Sequence, residues 1–275
     1  MRYRERAAKR LRAADRAKLA QASRLPKAIE NRYVRDLTSL LRAVHVRFLE
    51  AFDASHLATD RNGNVIRSNA KISKHDPSFN SILPSVRLGL QRGTEHAFDR
   101  MAAAVQKHAT FALRGLTVQG LGQGFPELVQ RARAANVALI DKAAAGYGAD
   151  VRRVIEDPEN FGLAGAELRD LIVERGNVSE SRAQLIARDQ SLKLNAVIGQ
   201  EGQKRAGATG YSWGGVDDGK EREMHRALNN RVFRWDDPPV TNEEGDTNHP
   251  GEDYQCRCVA IPVFEEIEES GAYYE

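Results

Sequence analysis

The chain contains only two cysteines, one residue apart in Cys256-Arg257-Cys258, and the stretch before them from Trp213 supplies His225 and His249. Thiolate and neutral imidazole are preferred zinc ligands, and a structural zinc site is closed by four such groups in a tetrahedron. His225, His249, Cys256 and Cys258 make four, although their spacing is not the paired Cys-x-x-Cys or His-x-x-x-His of common zinc modules. On a flat strand, residues two apart lie on the same face at about 6 to 7 Å, so both sulfurs reach one ion only if the chain turns at Arg257.

Two other chemistries compete for the same cysteines. They can be small buried hydrophobes, since free cysteine is among the most buried residue types. They can also exchange electrons as a thiol pair, but the strained ring closed by two cysteines one residue apart disfavours a stable disulfide. A metal-dependent hydrolase with His225 and His249 as ligands and Asp217 or Asp218 as base is the enzymatic alternative. Four closed ligands would leave no coordination position for water, and the sequence shows no nucleophile triad or nucleotide loop, so the expectation is a protein that is not an enzyme.

The elements that must carry these residues read as mainly α, with helical N-terminal and central regions and a small α+β module at the C-terminal end. Residues 1–25 hold strong helix formers and no Gly or Pro, which predicts a basic helical arm. Leu37, Leu40, Leu41, Val44, Phe48, Ala51 and Phe52 repeat at three-four spacing and predict an amphipathic helix, with His45 beside its apolar face. Residues 53–94, with Asn62-Gly63, Pro77 and Pro84, read as a polar surface insertion inside a helical domain at 26–114, its Asn-Gly turn suited to a short hairpin. A Gly-rich hinge is expected at 115–125.

Helical segments follow over 126–210. Gly146 and Pro158 are expected to divide the first two, and Gly176 to cap the third, with Ser179 opening a fourth that carries Arg188. Short β-like pieces around Phe233 and Val259 then build the Cys/His module at 211–264, before an acidic tail at 265–275. Trp213 and Trp235 are expected to anchor that module's core.

Hydrophobic residues make up 41% and charged residues 29%, and no apolar run approaches the roughly 20 residues a membrane span requires. The Arg-rich start has no apolar segment of a secretory signal, so synthesis in a reducing cytoplasm is expected, where Cys and His meet metal more readily than they oxidise. The net charge of +3 is unevenly spread. Arg2, Arg4, Arg6, Lys9, Arg10, Arg12, Arg16 and Lys18 crowd one end, while Glu265, Glu266, Glu268, Glu269 and Glu275 crowd the other. The basic end suits an acidic protein surface or, through sequence-blind and salt-dependent contacts, nucleic-acid phosphates.

Arg188 in Ile-Ala-Arg-Asp, Asn195, Trp213, Asp217 or Asp218, Arg222, His225, His249-Pro-Gly251 and Cys256-Arg-Cys258 together resemble the Mu F-like family of phage minor head, or head morphogenesis, proteins over about residues 125 to 262. Asp189-Gln190 stands where that family usually has Thr-Glu, and Asp-Asp-Gly-Lys-Glu-Arg is longer than its tight Asp-x-Arg. The resemblance implies a low-copy virion protein, made in the host cytoplasm and bound to the portal protein in the capsid interior, with no membrane contact there. It would assist head assembly and DNA packaging or ejection, with packaged double-stranded DNA and the major capsid or scaffold protein as further partners. Arg188, Asp217, Asp218 and Arg222 would form a structural polar cluster fixing the tail module to its helix, and the His/Cys set would hold a structural zinc.

Overall fold

The computed structural model describes residues 13–54, 61–62, 77–113, 125–160 and 163–264. About half of the basic arm (1–12), about half of the insertion (55–60 and 63–76), nearly all of the glycine-rich hinge and the acidic tail therefore lie outside the described residues. The elements in order are α1 (Ala13–Ser23), α2 (Lys27–Ala54), α3 (Pro77–Ala112), α4 (Pro126–Glu156), a 3-10 turn at Pro158–Asn160, α5 (Gly165–Arg205), β1 (Gly210–Gly214), α6 (Glu223–Leu228), β2 (Val232–Arg234) and β3 (Val259–Val263). This is the mainly helical class with a small α+β module that the patterning indicates.

The chain forms two compact units interleaved in sequence, where a linear succession of domains was expected. One draws on Met1–Glu30, Arg100–Ala132 and Arg188–Glu275, the other on Asn31–Asp99 and Arg133–Ala187.

In the second unit the three-four stripe of α2 is the core face: Leu37, Leu41, Val44, Phe48 and Phe52 are all buried. Tyr33 joins them, its hydroxyl donating to Asn136 Oδ1 on α4 at 2.8 Å, because a buried polar group must find a partner. His45, expected beside the apolar face, is itself buried and packs edge-on against Tyr147 at 5.4 Å between ring centroids.

Two expectations are corrected in this unit. Residues 77–94 are not a polar loop but the first half of α3. Pro77 suits the opening of a helix, where its missing N–H costs nothing, and Pro84 sits inside the same helix. The breaks expected at Gly146 and Gly176 are absent too: α4 runs through the first and α5 through the second. A Cβ on Gly176 would stand 2.0 Å from the His45 ring, and one on Gly148 would stand 2.9 Å from Leu83 and 3.1 Å from Phe48. These glycines are notches that let helices approach, so their lack of a side chain serves packing rather than termination.

In the first unit, α5 delivers the chain to a three-stranded antiparallel sheet of order β2-β1-β3. Tyr211 of the central strand pairs with Phe233 on one side and Pro262 on the other. Pro262 is tolerated because β3 is an edge. Period-two alternation then sorts the side chains onto two faces. Val259 and Ile261 pack with Ala20 and Leu19 of α1, while Tyr211 and Trp213 point into a separate core with Leu228, Cys256 and Cys258. Helix α1 is tied to this unit at its end: Asn195 on α5 donates to the Ser23 carbonyl at 3.0 Å, and Arg24 donates to the Gly215 carbonyl at 2.7 Å.

Candidate metal centre

His225 is carried on the short helix α6, and its ring packs edge-on against Trp213 of β1 at 5.5 Å. The cysteines arrive from the other direction, on the segment that runs into β3. A turn brings them in: the Cys256 N–H donates to the Asp253 carbonyl at 3.1 Å, and Gln255 takes a positive φ of 55°. Asp189 on α5 fixes that strained residue by accepting the Gln255 N–H at 2.9 Å. The turn the sulfurs require therefore lies just before Cys256 rather than at Arg257.

The outcome is one focus of three donors. Cys256 Sγ lies 3.5 Å and Cys258 Sγ 3.7 Å from the same His225 Nδ1, and the three donor atoms lie within 4.8 Å of one another. All three residues are buried and both cysteines are free thiols. The second ring nitrogen, Nε2, sits 3.0 Å from Asp253 Oδ2, though the N–H direction is off the line of a completed hydrogen bond. The ring is thus held between a sulfur pair and a carboxylate. Beside the sulfurs, Cys258 Sγ is 3.3 Å from Glu221 Oε1, which also accepts the Val216 N–H at 3.2 Å.

The electrostatics follow this crowding. Cys256 is held down to about 5, first by hydrogen bonding with Cys258 and also by His225, against the effect of burial. Cys258 is pushed up by that same neighbour, by burial and by Glu221, because two adjacent thiolates repel. His225 is raised, chiefly through its hydrogen bond with Cys256. Proximity of this kind favours one thiolate and one thiol in the metal-free pair.

His249, expected as the fourth ligand, is not in this group. Its Nδ1 lies 3.0 Å from the Tyr211 hydroxyl, and its ring packs on Tyr211 and Trp235 at 5.4 and 5.7 Å. The reason is local. The His249 N–H donates to Glu252 Oε2 at 2.7 Å and Gly251, at φ +89°, turns the chain back immediately, so the ring is turned to the aromatic flank of the core.

The polar cluster is likewise redistributed. Arg188 faces Glu30 at 3.5 Å rather than Asp217 or Asp218. Asp218 is exposed and pairs with Arg257, which keeps its carboxyl at about 2, while Asp217 is an exposed turn residue at φ +52°. Arg222 donates to the Tyr254 carbonyl at 2.5 Å. Asp218 is therefore committed to the arginine between the cysteines and is not placed as a base. Of the basic arm residues, only Arg16 and Lys18 fall on the described helix α1, and Lys18 is exposed.

A model of the family described as phage Mu protein F like protein matches residues 80–261, about two thirds of the chain. The chain belongs to that family. The match takes in α4, α5, β1, β2, the first part of β3 and the His225, Cys256 and Cys258 focus, so these features lie in the part of the chain shared with that family. A Haemophilus influenzae protein, named only as an uncharacterized protein, is 35% identical over 143 residues, which is 52% of this chain and 31% of that relative. The match thus spans about a third of that relative's length. No solved structure matches the chain.

Glu221, Asp253 and Asp189 were not singled out from the sequence. Glu221 and Asp253 are isolated acids outside regular elements and carry no periodicity, and only the folded turns bring them to the cysteines. Asp189 had one sequence cue, its place in the stretch where the family usually carries Thr-Glu.

Proposed function

We propose that this Mu F-like protein is a low-copy minor head component held by the portal protein on the inner side of the capsid, where it assists head assembly and DNA packaging or ejection. The observation that carries this reading is the extent of the family match, which covers most of α3, all of α4 and α5 and nearly all of the sheet module as one continuous stretch. The built features agree with a structural role: long helices, a compact module tied to α5 and α1, and a buried donor cluster. The N-terminal arm lies outside the matched residues, and its contact with DNA or an acidic protein surface rests on charge alone.

Co-expression with the portal protein of the same phage tests the reading. The two proteins should co-purify through size exclusion at moderate salt, and the chain should be found by mass spectrometry in purified heads at a few copies. A chain that elutes alone and is missing from heads would overturn it. If the arm contacts DNA, replacing Arg2, Arg4, Arg6, Lys9, Arg10 and Arg12 with glutamine should flatten the salt dependence of duplex binding, by about 0.9 in slope per lost phosphate contact.

A further inference from the structure

The three buried donors His225, Cys256 and Cys258 have a geometry that an ordinary hydrogen-bonded cluster does not require. One imidazole nitrogen offers a single lone pair or a single proton, so it can satisfy one sulfur. Here two sulfurs stand at nearly equal distance from the same Nδ1, 3.5 and 3.7 Å. In a tetrahedral zinc site, bonds of about 2.3 Å to sulfur and about 2.0–2.1 Å to nitrogen put the two donor atoms about 3.5 Å apart along one edge of the tetrahedron. Both observed distances are edges of that size.

The fourth donor has to come from outside this group of three, and a carboxylate stands beside it. Glu221 Oε1 lies 3.3 Å from Cys258 Sγ, close to the edge expected between sulfur and oxygen ligands of one ion. The backbone makes room for it, since a Cβ on Gly215 would fall 2.6 Å from that oxygen. Gly215 is itself fixed from two sides, its N–H donating to Asn229 Oδ1 at 2.9 Å and its carbonyl accepting from Arg24. The Trp213-Gly-Gly segment thus brings the chain under the acid and leaves the space a side chain would fill.

The surroundings complete the pattern. Histidine ligands commonly present their other ring nitrogen to a carboxylate, which fixes the ring and raises its basicity. Asp253 Oδ2, buried and with no completed hydrogen bond, stands 3.0 Å from His225 Nε2. Two thiolates and a carboxylate around a dication leave one net negative charge, and the Arg257 guanidinium lies close enough to both Cys258 and Glu221 to offset it.

We propose that His225 Nδ1, Cys256 Sγ, Cys258 Sγ and the Glu221 carboxylate hold one zinc ion in a closed structural site, with Asp253 orienting His225 and with His249 outside the ligand set. Binding expels the remaining thiol protons to solvent, and no coordination position is left for a reacting water. The site is independent of the portal reading, since it concerns only how the C-terminal module is held.

Full-length protein purified without chelator tests this directly. Zinc analysis should give one ion per chain, and X-ray absorption should show two sulfurs at about 2.3 Å and two nitrogen or oxygen ligands at about 2.0–2.2 Å. In chelator competition, E221Q and D253N should each weaken binding by about 10-fold or more, C258S should abolish it, and H249Q should leave it unchanged. Far-UV circular dichroism of each variant at low temperature checks that the helices remain. A metal-free wild-type chain would overturn the site. Loss of zinc in H249Q with full retention in E221Q, or a wild-type shell with a solvent ligand in place of Glu221, would overturn the assignment of the fourth donor.

Discussion

The turn that delivers the cysteines is pressed against α5 at one point, and that point can be tested by substitution. Gly251 has φ +89°, and a Cβ there would stand 2.5 Å from the Ala196 Cβ on α5. Gly251→Ala incurs two penalties: about 1–2 kcal/mol for placing an L-residue in the left-handed region, and about 1–3 kcal/mol for overpacking against a helix that cannot yield. The sum is about 2–5 kcal/mol. Ala196→Gly alone should cost about 1 kcal/mol, the ordinary penalty of glycine inside a helix. The double variant removes the clash while keeping both backbone penalties, so it should be more stable than the sum of the single variants by about 1–3 kcal/mol. Urea unfolding followed by tryptophan fluorescence is the assay, since Trp213 is fully buried in this module. Additivity within about 0.5 kcal/mol, or a G251A protein of wild-type stability, would refute the close approach of the turn to α5.

Further outcomes follow from the buried and paired charges. His45 is held below its ordinary value mainly by burial, helped by Arg169 and Arg42 and opposed by Glu180. Below about pH 6.5 the unfolded chain accepts a proton that folded His45 resists, so its contribution to stability is present above that pH and is lost as pH falls. Its NMR titration midpoint should lie below 6.5, and a midpoint at or above that value would contradict the buried placement. Asp218 should titrate near 2 in the native protein and rise towards the ordinary carboxylate range in R257Q, since Arg257 is the largest cause of its depression and the Lys220 N–H a smaller one. An unchanged Asp218 in that variant would show that the pair does not form in solution.

Much of the helical body was legible because long apolar stripes are local: the α2 face from Leu37 to Phe52 could be read from spacing alone. The glycines misled for a physical reason. Gly146 and Gly176 carry the composition of helix ends, yet helices run through both, and the role of Gly176 is defined by His45, which lies far away in sequence. Pro77 and Pro84 misled similarly, suggesting a loop where one opens a helix and the other rides within it. In the C-terminal module, residue type named the three side chains that cluster, His225, Cys256 and Cys258, while His249 lies apart from them. Chemistry nominates any nearby imidazole, but direction is set by Gly251 and by the bond from the His249 N–H to Glu252. Glu221 was invisible for the complementary reason: it sits beside Cys258 only because Gly215 leaves room for it. Arg188 faces Glu30, and Asp218 pairs instead with Arg257, between the two cysteines.

The claim on which the C-terminal module depends is that a single ion sits among His225, Cys256 and Cys258. Native mass spectrometry of the intact chain weighs this directly, because a zinc bound by two thiolates adds the mass of the metal less that of the protons displaced. One zinc per chain, retained through buffer exchange and absent from the C256S and C258S variants, is the expected spectrum. A folded chain at its bare polypeptide mass, or one that keeps zinc after both thiols are replaced, would contradict it.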